Sequence, residues 1–322
     1  SIGQGFPLET EKFLTTPHYY TTSEIEDLFA HLQKEFPTMA RVHSIGKSVE
    51  GRELTVLEIN KNVRKRSLLT PMFKYVANMH GDETVGRQLL VYLAQYLLTN
   101  YGIVPEVTKL VDTTDIFLMP SLNPDGYERS KCCSESLTPD DDVFKLLAHT
   151  YSSNHPVMKT GSNCNETFPG GITNGAYWYE LNGGMQDFNY VFSNCFDVTL
   201  ELSCCKFPKA SFLPSEWARN KRSLLEYMKL VHIGVKGIVK DTNGYPIKNA
   251  EIFVRKYTGK PIKTTERGEY WRLLRPGVYQ IQAAAFGYEP STIQEVLVTN
   301  GSAERVDFNL KPSDNTEGTI VQ

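Results

Sequence analysis

The change of texture near Gly234 constrains this chain most. Before it, strand-like and helix-like stretches alternate; after it, short strand-like runs broken by turns follow one another. Strands joined by helices pack into a sheet covered by helices, so the first part reads as an α/β domain. Evenly spaced short runs with turn dipeptides read as a small β-sandwich. Two domains are therefore expected, residues 1–233 and 234–312, with a loose polar tail over 313–322.

In the first domain Ser23 and Glu26 are spaced as a capping box, and Ile25, Leu28, Phe29, Leu32 and Phe36 share one helical face up to Pro37. Strands are predicted over 41–46 and 54–59. A buried strand over 73–78 then leads through Met79-His80-Gly81-Asp82 into a helix over 83–100. A further buried strand over 115–119 closes in the turn Asn123-Pro124-Asp125-Gly126. Thr138-Pro139, followed by three aspartates, reads as a helix start with an N1 proline. Residues 198–202 read as a strand and 215–231 as a helix. In the second domain, strands over 235–239, 251–255, 269–274, 278–284 and 306–310 are separated by Asn243-Gly244, Arg267-Gly268 and Pro276-Gly277.

Composition narrows the function classes. With 34 Lys+Arg against 37 Asp+Glu, the net charge of −3 argues against a nucleic-acid partner, whose phosphates call for a basic excess. An apolar share of 40%, with aromatic residues making up 11% of the chain, supports a large core rather than disorder. No run approaches the roughly 18 apolar residues of a membrane span, so none is expected within this chain. The basic run Arg64-Lys65-Arg66 reads as a solvated loop. The opening Ser1-Ile2-Gly3, without Met or leader, reads as a mature or trimmed product. Cysteines at 132, 133, 164, 195, 204 and 205 do not form a C-x₂-C zinc pattern. They fit disulfides made in an oxidising compartment, with buried free thiols as the other reading. The sequons Asn165-Glu166-Thr167 and Asn300-Gly301-Ser302 lean the same way. The secretory pathway is the expected location.

His80 and Glu83 lie between a predicted buried strand and a helix, where open α/β sheets place ligands. An imidazole and a carboxylate three residues apart can address one Zn²⁺. By spacing alone, a surface histidine beside a helix-capping glutamate is an equal reading.

The surrounding residues decide between them. Val76-Ala77-Asn78-Met79-His80-Gly81-Asp82-Glu83-Thr84-Val85-Gly86-Arg87 and Pro120-Ser121-Leu122-Asn123-Pro124-Asp125-Gly126-Tyr127-Glu128 resemble the zinc metallocarboxypeptidases. So do Gly170-Gly171-Ile172-Thr173-Asn174-Gly175, Gly183-Gly184-Met185-Gln186-Asp187-Phe188-Asn189-Tyr190 and Thr199-Leu200-Glu201-Leu202-Ser203-Cys204-Cys205. The likeness is to the regulatory branch that includes carboxypeptidases D, M, N and E, most of all the first catalytic domain of the insect D type. It implies an α/β fold with a central mixed sheet flanked by helices, carboxypeptidase-like and incomplete, followed by a small transthyretin-like β-sandwich. It implies His80 and Glu83 as two zinc ligands, Glu201 as general base, Tyr179 closing over the substrate's C-terminal residue, and Gln186 in the pocket wall. The implied partners are peptides or proteins with C-terminal Arg or Lys. Cys164 and Cys133 would bridge to Cys204 and Cys205 in an order left open, with Cys195 a free thiol. Family members are extracellular, or tethered through segments outside a chain like this one.

The sequence also departs from the family. Several dozen residues are missing near 130–131, and neither H-G-G, which supplies the third zinc ligand, nor the carboxylate-gripping N-R-[ND]-F occurs anywhere. The other histidines, His18, His31, His43, His149, His155 and His232, carry no motif that nominates a replacement. A catalytic zinc site uses three protein ligands and one open position. With the third ligand missing, Zn²⁺ is expected to be weakly held and the chain weakly active or inactive. The alternative is a non-catalytic relative that binds peptides or protein partners.

Overall fold

The computed structural model describes residues 9–125, 138–178, 184–257 and 260–313. The chain divides into two compact units. The first is Ser1–Lys131, Tyr151–Gly171 and Leu200–Met228; the second is Cys132–Thr150, Ile172–Thr199 and Lys229–Gln322. The α-helices among the described residues are α1 (Thr22–Glu35), α2 (Thr84–Thr99), α3 (Pro105–Thr113), α4 (Asp141–Asn154), α5 (Gly175–Trp178), α6 (Met185–Phe192) and α7 (Leu213–Lys229).

The first unit is built on four strands, β1 (Ala40–Lys47), β2 (Glu53–Ile59), β3 (Met72–Val76) and β4 (Asp115–Met119), in the order β1-β2-β4-β3. β1 with β2 and β2 with β4 run antiparallel, while β3 and β4 run parallel, so the sheet is mixed. Parallel pairing needs a crossover connection, and α2 followed by α3 supplies it. α2 is buried almost all round, and Leu89, Val91, Tyr92, Leu93 and Leu97 are at most 1% exposed. Each such side chain contributes about 1.5–3 kcal/mol by leaving water. Trp217 of α7 packs edge-on against Tyr92 and Tyr96. The Tyr75 hydroxyl donates to the Leu224 carbonyl at 2.8 Å and pins α7 to β3.

Several sequence expectations need correction here. The capping box of α1 is Thr21 with Glu24, because Thr21 is the extended residue whose hydroxyl can accept from the Glu24 amide. β3 ends at Val76 and lies at the sheet edge, so only Tyr75 in it is buried. A further helix, α3, follows with Pro105 in its first turn, where no helix is predicted between 100 and the strand at 115. Among the described residues, 198–202 form no strand. The apolar alternation is present, but strand geometry persists only where a neighbour supplies the ladder. α4 starts at Asp141, two residues past Pro139, and Asp140 takes the capping place by accepting from the Val143 and Phe144 amides through its carbonyl. Arg64 and Lys65 of the basic run are exposed, whereas Arg66 is half-buried: its Nη1 donates to the Thr70 carbonyl, and its Nε lies 3.8 Å from the buried Asp115.

A two-residue hairpin, β5 (Ser162–Asn163) and β6 (Glu166–Thr167), turns through Cys164 and Asn165, both with positive φ. In the second unit, β7 (Val235–Asp241), β8 (Glu251–Val254), β9 (Ile262–Lys263), β10 (Glu269–Arg272), β11 (Gly277–Ala284), β12 (Gln294–Val298), β13 (Glu304–Arg305) and β14 (Phe308–Leu310) form two four-stranded sheets. One has the order β10-β7-β13 with β14 also on β7; the other is β12-β11-β8-β9. Ile252, Ile281 and Ala283 of one sheet, and Val235, Val239 and Leu310 of the other, are at most 1% exposed. β9, β12 and β13 were not legible, two of them being only two residues long. Gly237 is required: a Cβ there would sit 1.7 Å from the Val306 carbonyl oxygen. Arg272 and Asp140, both within 1% of full burial, pair at 2.7 Å, and the Tyr190 hydroxyl gives Asp140 a second donor.

Candidate metal and catalytic site

β3 delivers the chain to a tight turn at the start of α2. Asn78 adopts a left-handed φ of +56°, which reverses the backbone and presents His80 and Glu83 side by side. His80 Nδ1 lies 3.0 Å from Glu83 Oε2. The other Glu83 oxygen is 3.0 Å from the Lys206 ammonium, which also lies 3.3 Å from Asp82. Burial works against the Lys206 charge, but hydrogen bonds and attraction from Glu83 and Asp82 outweigh it and raise its pKa.

The segment bearing Glu201 and Lys206 is tied to this turn. The backbone amide and hydroxyl of Thr84 both donate to the Lys206 carbonyl at 3.1 Å. Gly86 leaves room for Leu202, whose Cδ1 would lie 3.7 Å from a Cβ at that position. Three residues after Glu201, Cys204 forms a disulfide with Cys164 of the hairpin. This is one of the pairings left open by sequence. Cys205 is an exposed thiol, the Cys195 thiol donates to Asp197, and Cys132 and Cys133 lie outside the described residues. Glu201 lies on an exposed stretch, yet its carboxyl is crowded by protein. Desolvation raises its pKa, the Glu83 charge adds to the rise, and His80 and Lys206 oppose it. A carboxylate tuned upward is a better proton acceptor near neutral pH.

Of the residues singled out by sequence, the structure thus gathers His80, Glu83 and Glu201. Gln186 sits half-buried in the first turn of α6, in the second unit, and Tyr179 lies outside the described residues. A nitrogen and an oxygen 3.0 Å apart fit two donors converging on one zinc-sized cation, whose bonds run about 2.0–2.2 Å. As a pair they fit; among the described residues, no group of three or more His, Cys, Asp or Glu side chains is arranged to hold a metal ion. No helix among them is long and apolar enough to cross a membrane. Sequence reading missed Lys206, Asn78 and Ser121. Only Asn78 carried a signal, as a residue type that tolerates a left-handed backbone directly after a strand.

With this geometry established, comparison with known proteins places the chain. It belongs to the zinc carboxypeptidase family, whose pattern it matches over residues 25–135 and 131–223, followed by a carboxypeptidase regulatory-like domain over 234–311. Its relatives lie in the regulatory branch. It is 47% identical to carboxypeptidase D of Drosophila melanogaster over 398 aligned positions, covering 97% of this chain and 28% of that one. It is 38% identical to human carboxypeptidase D, covering 94% and 27%. Mouse carboxypeptidase M is also 38% identical, with 91% and 84% covered. The chain therefore spans little more than a quarter of the length of the D-type relatives. Among solved structures, the crystal structure of thrombin activatable fibrinolysis inhibitor superposes with a TM-score of 0.53 at 15% identity, over 66% of this chain and 74% of that one. That likeness concerns the fold.

Proposed function

We propose that this chain is a carboxypeptidase of the regulatory branch with an incomplete hydrolytic centre. The family reaction is release of C-terminal Arg or Lys from peptides, and this chain performs it weakly or retains only peptide binding. The observation that carries the reading is the His80–Glu83 pair with Glu201 in its electrostatic reach. Zn²⁺ held by such donors supplies Lewis acidity and lowers the pKa of water toward about 7. His80 and Glu83 supply two of its ligands, and Glu201 accepts the proton of the attacking water. Tyr179 closes over the substrate's C-terminal residue and Gln186 forms part of the wall around it.

The third ligand and the substrate-binding arginines belong to the segment missing near 130–131. Two facts support that reading. The family match falls into two pieces that meet at 131–135. The alignment with the Drosophila relative has 398 positions, although this chain has only 322 residues. A zinc ion held by two side chains is weakly bound, and the missing arginines would have fixed the carboxylate and polarised the carbonyl. Lys206 favours the non-catalytic alternative, because it already neutralises the Glu83 oxygen that faces away from His80.

We place the chain in the secretory pathway, extracellular or tethered through segments outside it, with peptides or proteins ending in basic residues as partners. The Cys164–Cys204 disulfide supports this, as do the exposed asparagines of both sequons, Asn165 and Asn300. The proposed division into domains at residue 234 is supported by the match of a regulatory-like domain over 234–311. Zinc content and arginine release from a peptide ending in Arg test the proposal together. Weak zinc retention, abolished by His80→Ala, with slow or no release supports it. One tightly held zinc with brisk arginine release would refute the incomplete centre.

A further inference from the structure

We propose that Asn78 is a positioning residue: its side-chain amide shapes the turn that brings His80 and Glu83 together, and Ser121 sets the direction of that amide. The inference rests on reading His80 and Glu83 as paired metal donors. Asn78 is 6% exposed and lies two residues before His80. Its Nδ2 spreads its two N–H bonds over the carbonyls of His80 at 3.0 Å, Gly81 at 2.8 Å and Glu83 at 3.2 Å. Every residue of the turn that matters to the pair is thus gripped from one point. The Ser121 hydroxyl donates to Asn78 Oδ1 at 2.7 Å, which fixes which end of the amide faces the turn. β4's extension supports the same turn twice more: the Asn123 amide donates to the Asn78 carbonyl, and Asn123 Nδ2 donates to the Met79 carbonyl, both at 3.1 Å.

The competing explanation is conformational. At φ +56° asparagine, aspartate and glycine are all tolerated, so Asn78 could stand there for its backbone alone. Substitutions separate the two. Asn78→Gly keeps the left-handed backbone and removes the amide. Asn78→Asp keeps the backbone and the shape, but aims a carboxylate rather than an N–H donor at three carbonyls. If the amide acts, both variants fail; if only the backbone matters, Asn78→Gly behaves like the parent.

The experiment uses the full chain and two readouts. Zinc affinity is measured by competition with a chromophoric chelator for the parent, Asn78→Gly, Asn78→Asp, Ser121→Ala and His80→Ala. Outer partners of ligands are worth about 10–100-fold in metal affinity, and that loss is expected for both Asn78 variants, with a smaller one for Ser121→Ala. Hydrogen exchange of the Glu83 amide, which donates to the His80 carbonyl, is followed in the metal-free chain and is expected to quicken in both Asn78 variants. Parent-like zinc affinity in Asn78→Gly, or unchanged Glu83 exchange, overturns the proposal. Zinc binding that His80→Ala leaves unaltered refutes the metal reading instead, and the exchange readout then decides the positioning role by itself.

Discussion

His155 makes the chain lose stability in mild acid. It follows α4, is 6% exposed, and its Nδ1 accepts the backbone N–H groups of Val157 at 3.3 Å and Met158 at 3.1 Å. A nitrogen engaged as acceptor by two amides cannot also carry a proton. Burial, and then the charge of Arg219, push its pKa from about 6.5 down to about 4. Between those values the unfolded chain binds a proton that the folded chain refuses. The stabilisation is therefore full above about pH 6.5 and drains away as pH falls toward 4. At about 1.4 kcal/mol per pH unit the ceiling is about 3 kcal/mol, and residual solvent at the ring brings the expected loss to about 2–3 kcal/mol. For a folding unit of this size that corresponds to a fall in Tm of about 5–10 °C. His155→Asn puts an amide oxygen where Nδ1 stood, so the two N–H groups keep an acceptor that does not titrate. Urea midpoints of parent and variant should be similar at pH 7 and separate toward pH 4, where the parent falls and the variant holds. Parallel curves across the whole range would refute the reasoning.

Other parts of the structure give further expectations. Asp115, 3% exposed, is pushed up to about 6 by burial and by the Glu58 charge, against the pull of Arg66 and Arg41. Its sign is opposite to that of His155: its contribution is full below about pH 4 and is lost as pH rises through about 6. Asp115→Asn should thus be more stable than the parent by about 1–2 kcal/mol at pH 7.5 and lose that advantage near pH 4, as urea midpoints would read. Arg272→Met leaves Asp140 buried without its cation and should cost about 3–5 kcal/mol in thermal unfolding, while adding Asp140→Leu should recover more than half of it. Replacing Cys164 and Cys204 with serine opens a loop of 40 residues and should cost about 3–4 kcal/mol, matched by adding reductant to the parent.

Legibility followed the range of the interaction. The strand predicted over 115–119 appears as Asp115–Met119, because an apolar run between a helix end and a proline turn reports its own burial. Helix α7 and the turns at Gly244 and Gly268, both with positive φ, were likewise written locally. The stretch 198–202 failed because a strand needs a partner that its own residues do not encode. The Asp140 carboxylate, read as ordinary helix-start chemistry, serves a guanidinium 132 positions away, and no local pattern marks such a pair. In the site, the proposed ligand pair His80 and Glu83, and Glu201, were singled out through resemblance of motifs. Lys206 and Ser121 act through spatial neighbours, Glu83 and Asn78 respectively, which only folding brings together.

The stretch carrying Glu201 has no ladder among the described residues to hold it in place. Its moorings include the Lys206 carbonyl on the first turn of α2 and the sulfur bridge to the hairpin. The first mooring forms wherever the chain folds, but the second survives only where thiols are oxidised. The same polypeptide made in a glutathione-buffered compartment would lose the bridge three residues from Glu201 while keeping the contacts of Lys206 with the first turn of α2. How firmly the proposed proton acceptor is held therefore depends on the redox poise of the place where the chain folds, in addition to the order of its residues.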